Sequence, residues 1–262
     1  MDFENIIEVR DLSASIDGIQ VLSDVSFTAE KGYITAVIGG SGAGKTTVLR
    51  HLLGLYPLTR GYVSVLGRDI SRLTEKEQIE LYMQTGVFFQ NGALLNSMTV
   101  GENVALPLVQ HTDLPEPLIE EIVLMKLGLV NLEESFNLYP SQLSGGMLKR
   151  AALARAIVMD PPLLFCDEPG SGLDPLSLES LDYLIMNLKN RLGMSILIIT
   201  HEIHTILRVA DKIVFLQEGN SLFEGSVDDA VGSNKQELKD FFSVLDKRKH
   251  SAMKGNAQES NC

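Results

Sequence analysis

No apolar run in these 262 residues approaches the ~20 consecutive residues a helix needs to cross a bilayer. If the protein works at a membrane, other chains hold it there. Basic residues are also scarce: 22 Lys and Arg face 34 Asp and Glu, a net charge of −12. A face that grips a phosphate backbone needs clustered Lys and Arg, so nucleic acid is not an expected partner. Only two cysteines occur, Cys166 within an apolar run and Cys262 at the last position. They supply no disulfide framework and point to a reducing compartment. The opening Met1-Asp2-Phe3-Glu4-Asn5 lacks the basic-then-apolar layout of a signal peptide. No internal repeat is visible. What is present is a 45% apolar composition with 22 Gly and 9 Pro, which suits one large α/β domain with a sizeable core.

Short apolar runs mark the strands. Residues 6–10, 21–27, 34–38, 62–66, 85–89, 163–166, 195–200 and 212–216 read as strands, with a turn at Asp17-Gly18. Helical spacing marks residues 46–53, 117–127 and 145–159. Leu181, Leu184, Ile185, Leu188 and Leu192 line one face of a further helix. Strands and helices alternate, which predicts a mostly parallel, helix-covered sheet. Between about residues 100 and 160 helical patterns dominate, so a helical subdomain is expected there, inside a domain spanning 1–230. Residues 231–262 read as a C-terminal amphipathic helix, striped by Leu238, Phe241, Phe242 and Leu245, followed by a disordered polar tail.

Four motifs carry the chemistry. Gly39, Gly40, Ser41, Gly42, Ala43, Gly44, Lys45 and Thr46 follow an apolar strand and fit the phosphate-loop pattern. A Gly-rich turn into a helix aims backbone N–H groups and the helix dipole at one anion. Lys45 is placed for the β- and γ-phosphates, Thr46 for Mg²⁺, and Thr47 adds a second hydroxyl. Asp167 ends an apolar strand at the sheet edge where ligands bind, and is the expected Mg²⁺ holder. Glu168, one residue on, is the expected general base for the attacking water. His201 and Gln90 end two further strands and are expected at the same edge, His201 near the γ-phosphate and Gln90 near Mg²⁺ or water. Ser144, Gly145 and Gly146 open a second helix and form a second anion site with no phosphate of its own in the chain. That puzzle points to a site shared between two chains.

These motifs, in this order, resemble those of the ATP-binding-cassette (ABC) ATPases over roughly residues 6 to 230. Gly39 to Thr46 resembles Walker A, Leu163 to Glu168 Walker B, Gln90 the Q-loop, Leu143 to Met147 the signature, Ser171 to Asp174 the D-loop and His201 the switch histidine. The resemblance implies an α/β P-loop NTPase fold with a mostly parallel core sheet, an antiparallel β subdomain and a helical insert. It implies ATP and Mg²⁺ as cofactors and a head-to-tail dimer in which each ATP is clamped between Walker A of one copy and Ser144, Gly145 and Gly146 of the other. It also implies an integral-membrane permease as anchor, and hence a place on the inner, cytoplasmic face of a bacterial inner membrane.

The stretches 89–100, 103–108, 111–112 and 114–118, and 143–147 with 149–156, are similar to the phospholipid-transporting members of the family, with Met147 standing where most of the family has Gln. Those members imply a STAS-domain protein and an Mce-domain substrate-binding protein as further partners. A motor for another solute is the nearest alternative reading. A nucleic-acid- or ribosome-acting ATPase is a further one, opposed by the compact insert, the single cassette and the acidic charge. Two departures stand out: residues 15–18 offer no aromatic for adenine, leaving Ile16 as the apolar contact, and Gly170 separates Walker B from the D-loop. A groove between core and insert, walled by Leu94, Leu95, Met98 and Val100, is expected to seat the permease.

Overall fold

The computed structural model describes residues 5–243. β1 (Asn5–Ile16) and β2 (Ile19–Glu30) form an antiparallel hairpin. Asp17 and Gly18 close it at φ of 52° and 79°, a two-residue turn that suits the twist of the strands. β3 (Ile34–Ile38) runs through the Gly-rich loop into α1 (Lys45–Leu52). β4 (Arg60–Val65) and β5 (Arg68–Asp69) complete a four-stranded antiparallel sheet of order β2-β1-β4-β5. α2 (Glu75–Met83) starts at a Thr74–Glu77 capping box and leads to β6 (Thr85–Phe88).

The insert follows as α3 (Val100–His111), α4 (Glu116–Leu129) and α5 (Gly145–Ala156). The chain returns through β7 (Leu163–Asp167), α6 (Pro175–Leu192), β8 (Ser195–Ile199), α7 (Ile203–Val209), β9 (Lys212–Gln217) and β10 (Asn220–Ser226). It closes with α8 (Val227–Val231) and α9 (Gln236–Phe242).

The second sheet has the order β10-β9-β3-β8-β7-β6, with only β10 antiparallel to its neighbour. β3 and β8 are buried along their whole length, which is why they read as unbroken apolar runs. Alternation along β7 assigns its two faces. Leu163 and Phe165 join Val48, Leu49 and Leu52 of α1, which lies between the two sheets. Leu164 and Cys166 join Leu181, Ile185 and Leu188 of α6. A third cluster, with Val104, Val123 and Ala151, is the insert's own core. Each fully buried Leu, Ile or Val contributes about 1.5–3 kcal/mol, so each of these clusters anchors its element firmly.

Cys166 is fully buried, and burial pushes its thiol far above the usual range, so it is an inert core residue. In α9, Leu238 and Phe242 are buried and Phe241 sets its ring 5.5 Å from that of Phe215. Leu245 and the polar tail lie outside the described residues.

One sequence expectation is overturned. The groove between core and insert, about 290 Å³, is lined by Tyr82, Val87, Phe89, Leu106, Pro107 and Arg155 among others, and by none of the four expected residues. Val100 is fully buried in the insert's core and Leu94 is packed between two core clusters. Met98 opens instead onto a separate hollow between α3 and α4. Leu95 is on the surface, 44% exposed. Apolar character sent two of the four inward, because α3 needs a base to pack on.

Candidate functional site

The phosphate loop joins β3 to α1, and its glycines answer to geometry. A Cβ on Gly39, at φ 150°, would sit 2.1 Å from the Leu216 carbonyl oxygen of β9. A Cβ on Gly44, at φ 98°, would sit 2.5 Å from Leu22 Cδ2. Either substitution displaces backbone or core. Gly44 is the cap residue of α1, and no side chain caps that helix, so its first N–H groups stay free to face an anion.

Lys45 Nζ donates to the carbonyls of Gly39 and Gly40, each at 2.9 Å. An ammonium has three protons, so one donor is left for a phosphate. Burial pulls the Lys45 ammonium below its usual range, and the charges of Glu168 and Asp167 act against that to keep it protonated. Thr46 is exposed and Thr47 buried beside it in the first turn of α1.

Asp167 ends β7. Burial, and then the charge of Glu168, raise its carboxyl above the usual carboxylate range, while Arg50 and Lys45 pull the other way. Its Oδ1 is buried and has no hydrogen-bond partner among the described residues. Glu168 follows in a left-handed conformation, φ 45°, which few non-glycine residues adopt. Two bonds hold it there: its N–H donates to Ile199 at 2.8 Å, and its carbonyl accepts from Ser171 at 3.1 Å. His201 Nδ1 lies 2.8 Å from Glu168 Oε1, while Oε2 is buried with no partner among the described residues. The Glu168 side chain is 13% exposed and that of His201 59%.

Asp167, Glu168, His201 and Lys45 thus gather at one edge of the parallel sheet. Gln90 lies two residues beyond β6 and is exposed; its amide donates to Ser171 Oγ at 3.2 Å. Ser144, Gly145 and Gly146 sit apart from this group, at the start of α5. Ser144 accepts from the Met147 N–H at 3.3 Å as an ordinary cap. The cleft beside it is shared with Arg150, Leu173 and Ser177. Ile16 is half-buried at the tip of the first hairpin, paired with Ile19, which is 71% exposed.

A family model described as "ABC transporter" matches residues 22–171, more than half of the chain. The chain belongs to the ABC transporter family. It is 39% identical over 230 residues to the "Intermembrane phospholipid transport system ATP-binding protein MlaF" of Haemophilus influenzae, covering 88% of this chain and 87% of that one. It is 38% identical over 237 residues to the "Probable ribonucleotide transport ATP-binding protein mkl" of Mycobacterium tuberculosis, covering 90% of this chain and 66% of that one. Among solved structures, the dimeric post-hydrolysis state of the ATP-binding cassette MJ0796 bound to ADP and Pi superposes with a TM-score of 0.76 at 27% identity, over 84% of this chain and 98% of that one. The chain is therefore an ABC ATPase of a transporter, and it binds ATP.

Two residues with no role assigned from the sequence also shape the site. Gly170 is a packing glycine, since a Cβ there would lie 2.1 Å from Leu178 Cδ1, seating the D-loop on α6. Asp182 of α6 is fully buried and accepts from Thr205 Oγ1 at 3.2 and 3.1 Å and from Arg208 at 2.5 Å, both on α7. That joins the helix after the D-loop to the helix after His201. Its signal was an acid on an otherwise apolar stripe, three residues before Ile185.

Proposed function

We propose that this chain hydrolyses ATP as the motor of a phospholipid transporter, acting as a head-to-tail dimer bound to a membrane permease. The observation that carries the hydrolytic assignment is the pair Glu168–His201. His201 engages one carboxylate oxygen and leaves Oε2 buried and unpartnered, as a base awaiting a water needs. In this reading Glu168 takes the proton of the attacking water and His201 keeps the carboxylate aimed. Lys45 and the free N–H groups of α1 hold the phosphates, and Gln90 orients the water.

The donor set fits a magnesium ion. Asp167 Oδ1 is buried without a partner, and Thr46 and Gln90 offer the neutral oxygens such an ion prefers. Held by these residues, the ion would supply positive charge that offsets the charge developing in phosphoryl transfer.

The dimer reading rests on the start of α5. A Cβ on Gly145 would meet nothing within 4 Å, and one on Gly146 only ordinary contacts with Ser177. Nothing within the chain requires glycine there, whereas close approach of a phosphate from a second copy does. The dimeric form of the MJ0796 cassette supports a dimer.

The lipid assignment is carried by the likeness to MlaF across nearly the full length of both chains. The similar identity to mkl, named for ribonucleotide transport, makes another solute the second reading. The test is reconstitution. The complex captured through the tagged full chain is placed in vesicles containing labelled phospholipid, with labelled ribonucleotide outside. ATP-driven lipid transfer that Lys45→Ala abolishes supports the proposal. Ribonucleotide uptake without lipid transfer overturns the lipid assignment.

A further inference from the structure

A buried cation outside the phosphate site is unexplained by the mechanism above. Lys149, on the second turn of α5, is 8% exposed. Its ammonium donates to the backbone carbonyl of Gln90 and lies 5.5 Å from the centre of the Phe88 ring, the last residue of β6. Burial pulls that ammonium below its usual range, and the charge of Glu168 acts to keep it protonated. Two more residues of α5 reach the same loop. A Cβ on Gly92 would come 3.2 Å from Ala152 Cβ, so the loop runs close against the helix. Arg155 donates to the carbonyls of Gly92 at 2.8 Å and Ala93 at 2.7 Å.

Three carbonyls of a short turn therefore accept from two cations on one helix. The turn itself is unusual, since Gly92 and Ala93 both take positive φ, 70° and 50°. For Ala93 that conformation is strained, and it persists because the surrounding bonds over-determine it.

The placement links two halves of different ATP sites. Gln90 belongs to this chain's own nucleotide, whereas Ser144, Gly145 and Gly146, at the head of α5, face the nucleotide of a second copy. This last point rests on the shared-site reading above. We propose that Lys149 is a positioning residue that locks the Gln90 turn to the signature helix α5, so that occupancy of one ATP site reorients the half-site this chain offers to its partner. The clamp is electrostatic at its core. A cation can bond the Gln90 carbonyl, sit over the Phe88 ring and feel the Glu168 charge at once, and a neutral side chain cannot. Arg155 secures the far end of the turn, so Lys149 governs the residue that faces the nucleotide.

The experiment compares wild type, Lys149→Met, Lys149→Gln and Lys149→Arg as full chains in the assembled transporter. Two readouts are taken: backbone hydrogen exchange over residues 89–95 without nucleotide, and the Hill coefficient of ATP turnover. In wild type the turn is expected to be protected and the coefficient to approach about two, the number of sites. Lys149→Met and Lys149→Gln are expected to speed exchange in the turn about tenfold or more and to bring the coefficient down to about one. ATP affinity stays within about twofold of wild type, because neither variant touches the phosphate loop.

Lys149→Arg restores both readouts, which a general loss of packing would not allow. Unchanged exchange, or cooperativity that persists in both neutral variants, overturns the proposal. Ser144→Arg separates this outcome from the premise. Turnover that survives it in the absence of wild-type copies overturns the shared-site reading, whereas turnover lost there but cooperative in Lys149→Met overturns only the role of Lys149.

Discussion

Replacing Asp182 by Ala tests how the site's two supporting helices are held together. The carboxylate is fully buried and accepts from the Thr205 hydroxyl and the Arg208 guanidinium. Its removal leaves Thr205, 1% exposed, with no acceptor. A buried polar group left unpaired costs about 1–3 kcal/mol. Arg208 suffers less, because its side chain is 24% exposed and Glu179 remains 3.7 Å away. The two losses together amount to about 3 kcal/mol, the low end of the range for breaking a buried pair. At ~2–4 °C per kcal/mol for a chain of this size, the melting temperature should fall by about 6–12 °C.

The charge itself is expected to contribute little. Burial lifts the Asp182 carboxyl above its usual range in spite of Arg208. Asp182→Asn keeps an acceptor of the same shape, so it should stay within about 1 kcal/mol of wild type. Thermal melts and urea titrations of the three proteins give the answer. A fall of under about 2 °C for Ala, or an equal fall for Asn and Ala, would refute the reasoning.

Two further predictions follow from the site. Asp167→Asn should raise the melting temperature at neutral pH while reducing turnover: burial and Glu168 place the folded carboxyl above its unfolded value, so ionisation costs stability as pH rises from ~4 through that raised range. Melts from pH 4 to 7 should show a smaller loss for Asn than for wild type, and a larger loss would contradict this sign. Leu95→Glu should leave stability within ~0.5 kcal/mol, because the side chain is exposed and the backbone is held by Asn103 in both directions, at 2.7 and 3.0 Å. If Leu95 meets the permease, this variant leaves the membrane fraction with ATP binding intact, and retained membrane association would exclude that role.

Much of the fold was legible because burial writes itself into sequence. β3, β7 and β8 are buried on both faces and appear as apolar runs, and the chemical residues stand at their ends. Elements with little burial were not legible. α2 buries only Leu81, so its helical period is faint. β10 has no fully buried residue and is held by pairing with β9. α3 was obscured by Pro107, which usually breaks a helix interior. Asn103, fully buried in that helix, bonds back to Leu95, Met98 and Thr99 and fixes the segment before it, a role no residue pattern displays.

The site divides in the same way. The phosphate loop, Asp167, Glu168 and His201 are local motifs at strand ends, and the structure brings them together. Lys149 and Asp182 act through helices remote in sequence. No role is assigned to either from the sequence, and the packing of α5 against the Gln90 turn and of α6 against α7 shows what they hold together. Gly170 illustrates the converse: a residue without an evident role proves to be where Leu178 needs space.

The measurement that tests the central claim most directly is ATP turnover and nucleotide affinity of Glu168→Gln in the assembled transporter. The amide keeps the shape of the carboxylate and cannot take the proton of water. The account predicts near-normal ATP affinity with turnover reduced by at least ~10²-fold, the usual contribution of a positioned base. Turnover near that of wild type would contradict the assignment of Glu168 as the base.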